Sequence, residues 1–287
     1  LDPTNDVNAS RDLTDVVNYT KAVDVAIGLM SDMPLCMRLL RQVHAVLLSD
    51  GRGSEKSPGQ FRTTQNWIGP SGCGLKGASF VPPNVEDMQE ALGDLEFFIN
   101  ECVDVEPVVK AALVHYQFET THPFLDGNGR MGRLLILLSL MNDEALTRPV
   151  VYPSYELKRR RAEYYDRLMG VRETGDFEGW IKFFCDCLLA SACDARDSMG
   201  KLADLHFKNE TLVRENSGRG ATNALKFLEL LEANPIVDAS FVVEKLDISK
   251  TSASSLIALF GSLGLLKQRE GERKRYRTFS YEPYLAI

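Results

Sequence analysis

His122–Arg133 reads HPFLDGNGRMGR, and the placement of this stretch between two helical segments decides the architecture. Upstream, Pro107–Thr121 has helical periodicity, and Pro123 forbids its simple continuation. Downstream, Met131–Asn142 is apolar on nearly every side, which predicts a central buried helix. The stretch is therefore a helix–loop–helix junction, with His122 at the end of one helix and Gly127-Asn128-Gly129 at the start of the next.

Working outward, amphipathic patterns predict helices over Asp15–Met30, Leu35–Leu48, Asn84–Asn100, Glu156–Glu173 and Phe177–Leu205, with an irregular lead-in over Leu1–Thr14. Gly51–Pro83 differs in texture, being rich in Gly, Ser and Pro. Its two short strand-like pieces, Asn66–Ile68 and Ser79–Val81, flank a Gly-rich tip at Gly69–Gly77 and read as a hairpin. Asn209–Gly220 is polar and reads as a linker. Beyond it come helices at Thr222–Leu231, Asp238–Leu246 and Lys250–Leu263, a strand from Gly264, a turn at Glu270–Glu272 and a return strand at Arg275–Ser280. Three helices and a hairpin are the pattern of a winged helix-turn-helix. The fold expectation is mainly α: a helical domain over 1–208 with a small β-hairpin, a linker over 209–220, and a winged helix-turn-helix domain over 221–287.

The chain has 287 residues and a net charge of −7. An acidic whole argues against a non-specific polyanion binder. The six cysteines (Cys36, Cys73, Cys102, Cys185, Cys187 and Cys193) form no CxxC pair and no zinc spacing, so free thiols in a reducing cytosol are expected. Leu1–Ser10 is polar rather than a signal peptide, and the apolar run Leu134–Met141 is too short to span a bilayer; a cytoplasmic location with no membrane partner is expected.

The chemistry of the loop follows residue by residue. An imidazole at a helix end can take a proton from a hydroxyl near neutral pH. Glycines opening a helix let its N–H groups approach and cradle an anion such as a diphosphate. Arg130 and Arg133 stand one turn apart and can both fork onto phosphate oxygens. Asp126 would repel phosphate unless it holds a bridging Mg²⁺. A base, a metal carboxylate, an anion nest and two arginines within twelve residues imply phosphoryl or nucleotidyl transfer. Singly, each element is commonly a turn, a cap or a core residue; their joint occurrence is what carries the argument.

HPFLDGNGRMGR resembles the Fic family signature HPFxDGNGRxxR at every defining position. Ser57–Arg62, Gln65–Gly69 and Phe80–Pro83 resemble the family's flap, and Arg161–Tyr165 and Trp180–Phe184 its later helices, so the resemblance covers about Asp15 to Leu205. It implies a protein adenylyltransferase that moves AMP from ATP to a Ser, Thr or Tyr hydroxyl, with ATP and Mg²⁺ as cofactors. His122 would be the base and Asp126 the metal ligand. The nucleotide-binding set would be Phe124, Asp126, Gly127, Asn128, Gly129, Arg130, Gly132 and Arg133, with Tyr165 against the adenine. Ile68, Gly69, Ser79 and Phe80 would dock the target segment as an added strand. The intact Gly127-Asn128-Gly129 favours AMP over phosphate transfer. The family's inhibitory S/T-xxx-E-G/N segment, whose Glu pairs with the second motif arginine, here Arg133, is expected upstream of Leu1. Competing readings are a hydrolase that removes AMP and a nucleotide-sensing regulator. In the second, Ile248–Ala253 starts a recognition-type helix and Lys267, Arg269, Arg273, Lys274, Arg275 and Arg277 make a basic wing for DNA. A second copy of the chain completes the set of expected partners.

Overall fold

The structure, a computed structural model, describes residues 3–70, 72–269 and 277–287, with side chains described from residue 14 on and that of Arg219 left out. The expected wing residues Glu270–Glu272, Arg273, Lys274 and Arg275 lie outside the described residues. The chain divides into two compact units, Leu1–Ala192 and Cys193–Ile287.

The first unit is helical: α1 (Pro3–Met30), α2 (Met37–Leu47), α3 (Val85–Glu101), α4 (Pro107–Thr121), α5 (Asn128–Asn142), α6 (Ser154–Arg159), α7 (Arg161–Thr174) and the beginning of α8 (Phe177–Asn216). α1 starts at Pro3 rather than near Asp15. Apolar periodicity detects a helix only where one face is apolar, and the polar lead-in carries few apolar residues. Proline at its first position suits a helix start.

α5 is the axis of this unit. Met131, Leu134, Leu135, Leu137 and Leu138 pack with α1, α2 and Phe118 of α4, while Ile136 and Leu140 pack with α7 and α8 around Trp180. Trp180 is fully buried, and its indole N–H donates to the Ala112 carbonyl at 2.9 Å. At about 25 cal/mol per Å² of apolar surface, a helix buried on every side is a large share of the unit's stability, so the loop at its N-terminus has a fixed base.

The polar stretch read as a linker is helical as far as Asn216, as the end of α8. Val213 is fully buried there, and Arg214 pairs with Glu210 one turn back at 2.6 Å. A 3-10 turn at Gly218–Gly220 follows. The compact units divide at 192/193, earlier than the expected 208.

The second unit adds α9 (Ala221–Ala233), β1 (Ile236–Asp238), α10 (Ala239–Leu246), α11 (Lys250–Ser262), β2 (Leu266–Gln268), β3 (Thr278–Tyr281) and α12 (Glu282–Leu285). Its antiparallel sheet has the order β1-β3-β2, with Val237 opposite Phe279 and Lys267 opposite Ser280. β1 is too short for alternation to register and went unread in the sequence. Asp238 and Ser249 cap α10 and α11 by accepting from Phe241 N and Ser252 N. Phe227 and Phe260 meet at 4.7 Å in a core of its own. Among the described residues no helix is long and apolar enough to cross a membrane.

Candidate active site

α4 is capped at its start by Glu106, whose carboxylate accepts from Val108 N and Val109 N. It ends because His122 turns left-handed, with φ 49° and ψ 60°. A β-carbon is strained there, and such strain persists only where surrounding contacts over-determine it. The contacts are visible. The His122 carbonyl accepts from Arg62 Nε at 3.1 Å and from Asn66 Nδ2 at 3.2 Å. Its Nδ1 faces the Glu119 carbonyl at 3.4 Å, so Nδ1 carries the proton and Nε2 is the acceptor. Burial, then the Arg172 and Arg62 cations, push the imidazole pKa down to about 4 against the raising effects of the Glu119 carbonyl and Asp126. At neutral pH the ring is in its basic form.

The loop after His122 is pinned by residues whose side chains face inward. Asn128 staples it: Phe124 N donates to Oδ1 at 2.9 Å, and Nδ2 donates to the Phe124 carbonyl at 2.7 Å. Phe124 is fully buried and stacks on His44 of α2 at 3.6 Å and 3°. His44 accepts from Gly59 N at Nδ1 (2.9 Å) and therefore donates from Nε2 to the Asp126 carbonyl (3.0 Å). Burial lowers its pKa, consistent with a neutral ring. Gly127 has φ +79°, and a β-carbon there would lie 2.6 Å from Leu48 Cδ1 and 3.1 Å from His44 Nε2.

A cavity of 380 Å³ collects His122, Asp126, Gly127, Asn128, Gly129, Arg130, Arg133 and Tyr165. The first residues of α5 open onto it, and their N–H groups have no intrahelical acceptor. The two arginines differ. Arg130 is bound to Asp15 at 3.0 Å and to the Arg52 carbonyl at 2.9 Å. Arg133 makes no hydrogen bond or ion pair among the described residues, and its Nη1 lies 3.2 Å from where a Gly129 β-carbon would stand. Arg52 also lines the cavity and its guanidinium likewise makes no hydrogen bond or ion pair among the described residues, so Arg133 and Arg52 are the cavity's cations available to an anion. Asp126 Oδ1 accepts from Gly127 N at 2.6 Å, leaving Oδ2 for another partner. No cluster of three or more metal-ligating side chains exists among the described residues. A single carboxylate fits Mg²⁺, which keeps waters and takes its remaining ligands from phosphates.

Two residues of the expected nucleotide-binding set lie elsewhere. Phe124 is in the core because the loop needs an apolar anchor against His44. Gly132 faces away from the cavity, and a β-carbon there would overlap Glu119 Oε1. Tyr165 is at the rim, 46% exposed, with Arg161 5.6 Å from its ring. The hairpin reduces to one bridge, Ile68 opposite Phe80, with Ile68 N donating to Phe80 O at 2.9 Å and Phe80 N returning at 3.1 Å. Ser79 N also donates to Ile68 O, at 2.8 Å, and Gly69 follows the bridge. A 3-10 turn at Leu75–Gly77 fills the tip.

Several residues that build the site were not singled out from the sequence. Arg62 is 2% exposed with no carboxylate partner among the described residues. Glu119 is buried with Oε1 unpartnered, and burial raises its pKa to about 7 against the lowering effects of Arg133 and Arg172. Arg172 lies 3.6 Å from the Phe80 ring centroid and donates to Thr120 Oγ1 and the Glu119 carbonyl. His115 lies against the Gly132 carbonyl at 2.9 Å and Tyr164 Oη at 3.0 Å, and burial lowers its pKa to about 4. A lone arginine in an irregular segment, or lone charged or aromatic residues within helices, give no signal of this kind in one sequence.

The spelling S/T-xxx-E-G/N, expected only upstream, occurs twice within the chain, at Thr174–Gly179 (TGDFEG) and Thr211–Asn216 (TLVREN). Glu178 is not hydrogen-bonded or ion-paired to Arg133 among the described residues. Glu178 pairs with Lys182 at 2.5 Å on the surface, and Glu215 is exposed.

Residues 34–140 match the sequence model of the Fic/DOC family. The protein adenylyltransferase Fic of Drosophila grimshawi is 32% identical over 162 residues, covering 56% of this chain and 30% of that protein. The protein adenylyltransferase fic-1 of Caenorhabditis briggsae is 30% identical over 159 residues, covering 52% and 28%. The chain thus spans less than a third of the length of these relatives. A Fic family protein from Desulfovibrio desulfuricans G20 has a similar fold, with a TM-score of 0.55 at 18% identity over 94% of this chain and 75% of that one.

Proposed function

We propose that the chain is a protein adenylyltransferase, moving AMP from ATP to a hydroxyl of a target protein. The observation that carries the reading is the joint placement of a neutral His122, an unpaired Arg133 and the open N-terminus of α5 on one cavity. The names of the relatives at 30–32% identity support it. In this reading the target hydroxyl gives its proton to His122 Nε2, and its oxygen bonds the α-phosphorus. The bond from that phosphorus to the β-phosphate oxygen breaks, and diphosphate leaves against the α5 N-terminus and Arg133. Mg²⁺, held through Asp126, would neutralise phosphate charge. Arg130 shapes the phosphate side from its anchor on Asp15 rather than by moving. Ile68, Gly69, Ser79 and Phe80 are the docking edge for the target, and Tyr165 the wall for the base. Removal of AMP by water is a separate reaction, in which a water oxygen bonds the α-phosphorus, the bond from that phosphorus to the protein oxygen breaks and the protein hydroxyl leaves with a proton; AMP-modified protein distinguishes it from transfer. Labelled ATP with a host lysate tests the reading, with His122→Ala as the inactive control.

The second unit we read as a winged helix-turn-helix. α11 exposes Lys250, Thr251 and Ser254, while Lys267, Arg269 and Arg277 are exposed at β2 and β3. That arrangement supports duplex DNA as its partner. Retardation of duplex DNA that weakens steeply with salt tests it. Six free cysteines support a reducing, cytoplasmic setting.

A further inference from the structure

Burying a guanidinium without a counter-charge is costly, so a lone buried arginine must satisfy its donors in another way. Arg62 does so entirely on carbonyl oxygens. Nε donates to His122 O at 3.1 Å and Nη1 to Thr64 O at 3.3 Å. Nη2 donates to Pro83 O at 2.6 Å and to Thr121 O at 3.4 Å. Two of these acceptors, Thr121 and His122, are the orphan carbonyls at the end of α4, where a cation also suits the helix dipole. The other two, Thr64 and Pro83, are the entry and exit of the hairpin segment that contains Ile68 and Phe80. The backbone of the same residue adds a fifth tie, Arg62 N to Pro123 O at 2.8 Å.

Asn66 reinforces the arrangement from within the hairpin strand. Its Nδ2 donates to the His122 carbonyl at 3.2 Å and the Phe124 carbonyl at 3.1 Å. The His122 carbonyl thus takes two side-chain donors, both from the Gly51–Pro83 segment. A left-handed histidine needs such fixing, because rotation of its peptide would swing the imidazole away from its present line. A planar fork with donors in several directions can hold carbonyls of three segments at once, which a lysine cannot.

We propose that Arg62 is the positioning residue of this site: its guanidinium sets the left-handed backbone of His122, and so the aim of the imidazole, while it locks both ends of the hairpin to that backbone. Docking of a target on the hairpin and orientation of the base are then one mechanical unit. The kinetic part of this inference rests on the AMP-transfer reading; its structural part does not.

The test uses the full chain with Arg62→Met, Asn66→Ala and Arg62→Lys. Melting temperature reports folding, and ATP affinity and label transfer from ATP to lysate protein report function. The ring resonances of His122 in the nucleotide-free protein report aim; with four histidines in the chain, His122→Ala assigns them. Arg62→Met is expected to bind ATP within about threefold of wild type yet to lose about 100-fold in kcat, the scale of a misplaced catalytic group. Its His122 ring signals shift or split. Asn66→Ala does the same to a smaller degree, and Arg62→Lys recovers only part of the loss. A folded Arg62→Met or Asn66→Ala with wild-type His122 signals and wild-type kcat overturns the proposal. Should Arg62→Met fail to fold, Asn66→Ala decides alone. Should the wild-type chain transfer no label, the AMP-transfer reading fails while the His122 signals still judge Arg62.

Discussion

Gly127→Ala isolates the packing that fixes the N-terminus of α5. Two costs meet there. The φ of +79° is left-handed, which costs an alanine roughly 1–2 kcal/mol. The new β-carbon would also stand 2.6 Å from Leu48 Cδ1 and 3.1 Å from His44 Nε2. Leu48 is fully buried, and the His44 ring is held by two hydrogen bonds and the Phe124 stack, so neither yields freely. Overpacking of this kind costs about 1–3 kcal/mol. The expected destabilisation is about 2–5 kcal/mol. Gly175→Ala is the matched control: its φ is +74°, at the end of α7 in the same compact unit, with nothing within 4 Å of the added carbon. It should cost only the backbone share, about 1–2 kcal/mol. Denaturant unfolding of both variants, followed by tryptophan fluorescence, reads the difference. Equal losses would refute the argument that Leu48 and His44 hold the loop by contact.

Further expectations follow from the buried ionisable groups and the two arginines. His115 and His122 have folded pKa values of about 4, below the unfolded value near 6.5. Their contribution is therefore complete above pH 6.5 and is lost as pH falls towards 4, on the order of 3 kcal/mol each; His115→Phe should show a flatter acid limb in denaturant midpoints between pH 7 and 4. Glu119 has the opposite sign. Its folded pKa of about 7 exceeds the unfolded value, so its contribution is present at pH 4.5 and lost as pH rises through 7. Glu119→Gln should match wild type near pH 4.5 and exceed it in denaturant midpoint at pH 8. Arg133→Ala should weaken ATP binding at least tenfold with a small change in melting temperature, because its guanidinium has no hydrogen bond or ion pair among the described residues to lose. Arg130→Ala should lower the melting temperature measurably, because it removes the ties to Asp15 and Arg52.

The helical body was legible because its helices carry apolar stripes, and α5 because it is apolar all round. The chemistry-bearing loop was legible because its residues act within a short span, where spacing encodes geometry. What escaped was encoded across distance. Arg62 meets His122 across sixty residues, and His44 meets Asp126 across eighty-two. Neither pairing leaves a local pattern. Phe124 and Gly132 lie within the motif yet serve packing, and a linear motif does not say which way each side chain faces. The polar end of α8 looked like a linker because an exposed helix held by i,i+4 pairs such as Arg214 and Glu210 lacks an apolar stripe.

The central claim is that His122 is the base for AMP transfer to protein on a cavity that Arg133 lines with a guanidinium unpaired among the described residues. Its most direct measurement is label incorporation into protein from ATP labelled at the α-phosphate, compared with ATP labelled at the γ-phosphate, for wild type and His122→Ala. The account predicts transfer of the α label only, abolished in His122→Ala while ATP affinity stays within a few-fold. Transfer of the γ label, or full α-label transfer by His122→Ala, would contradict it.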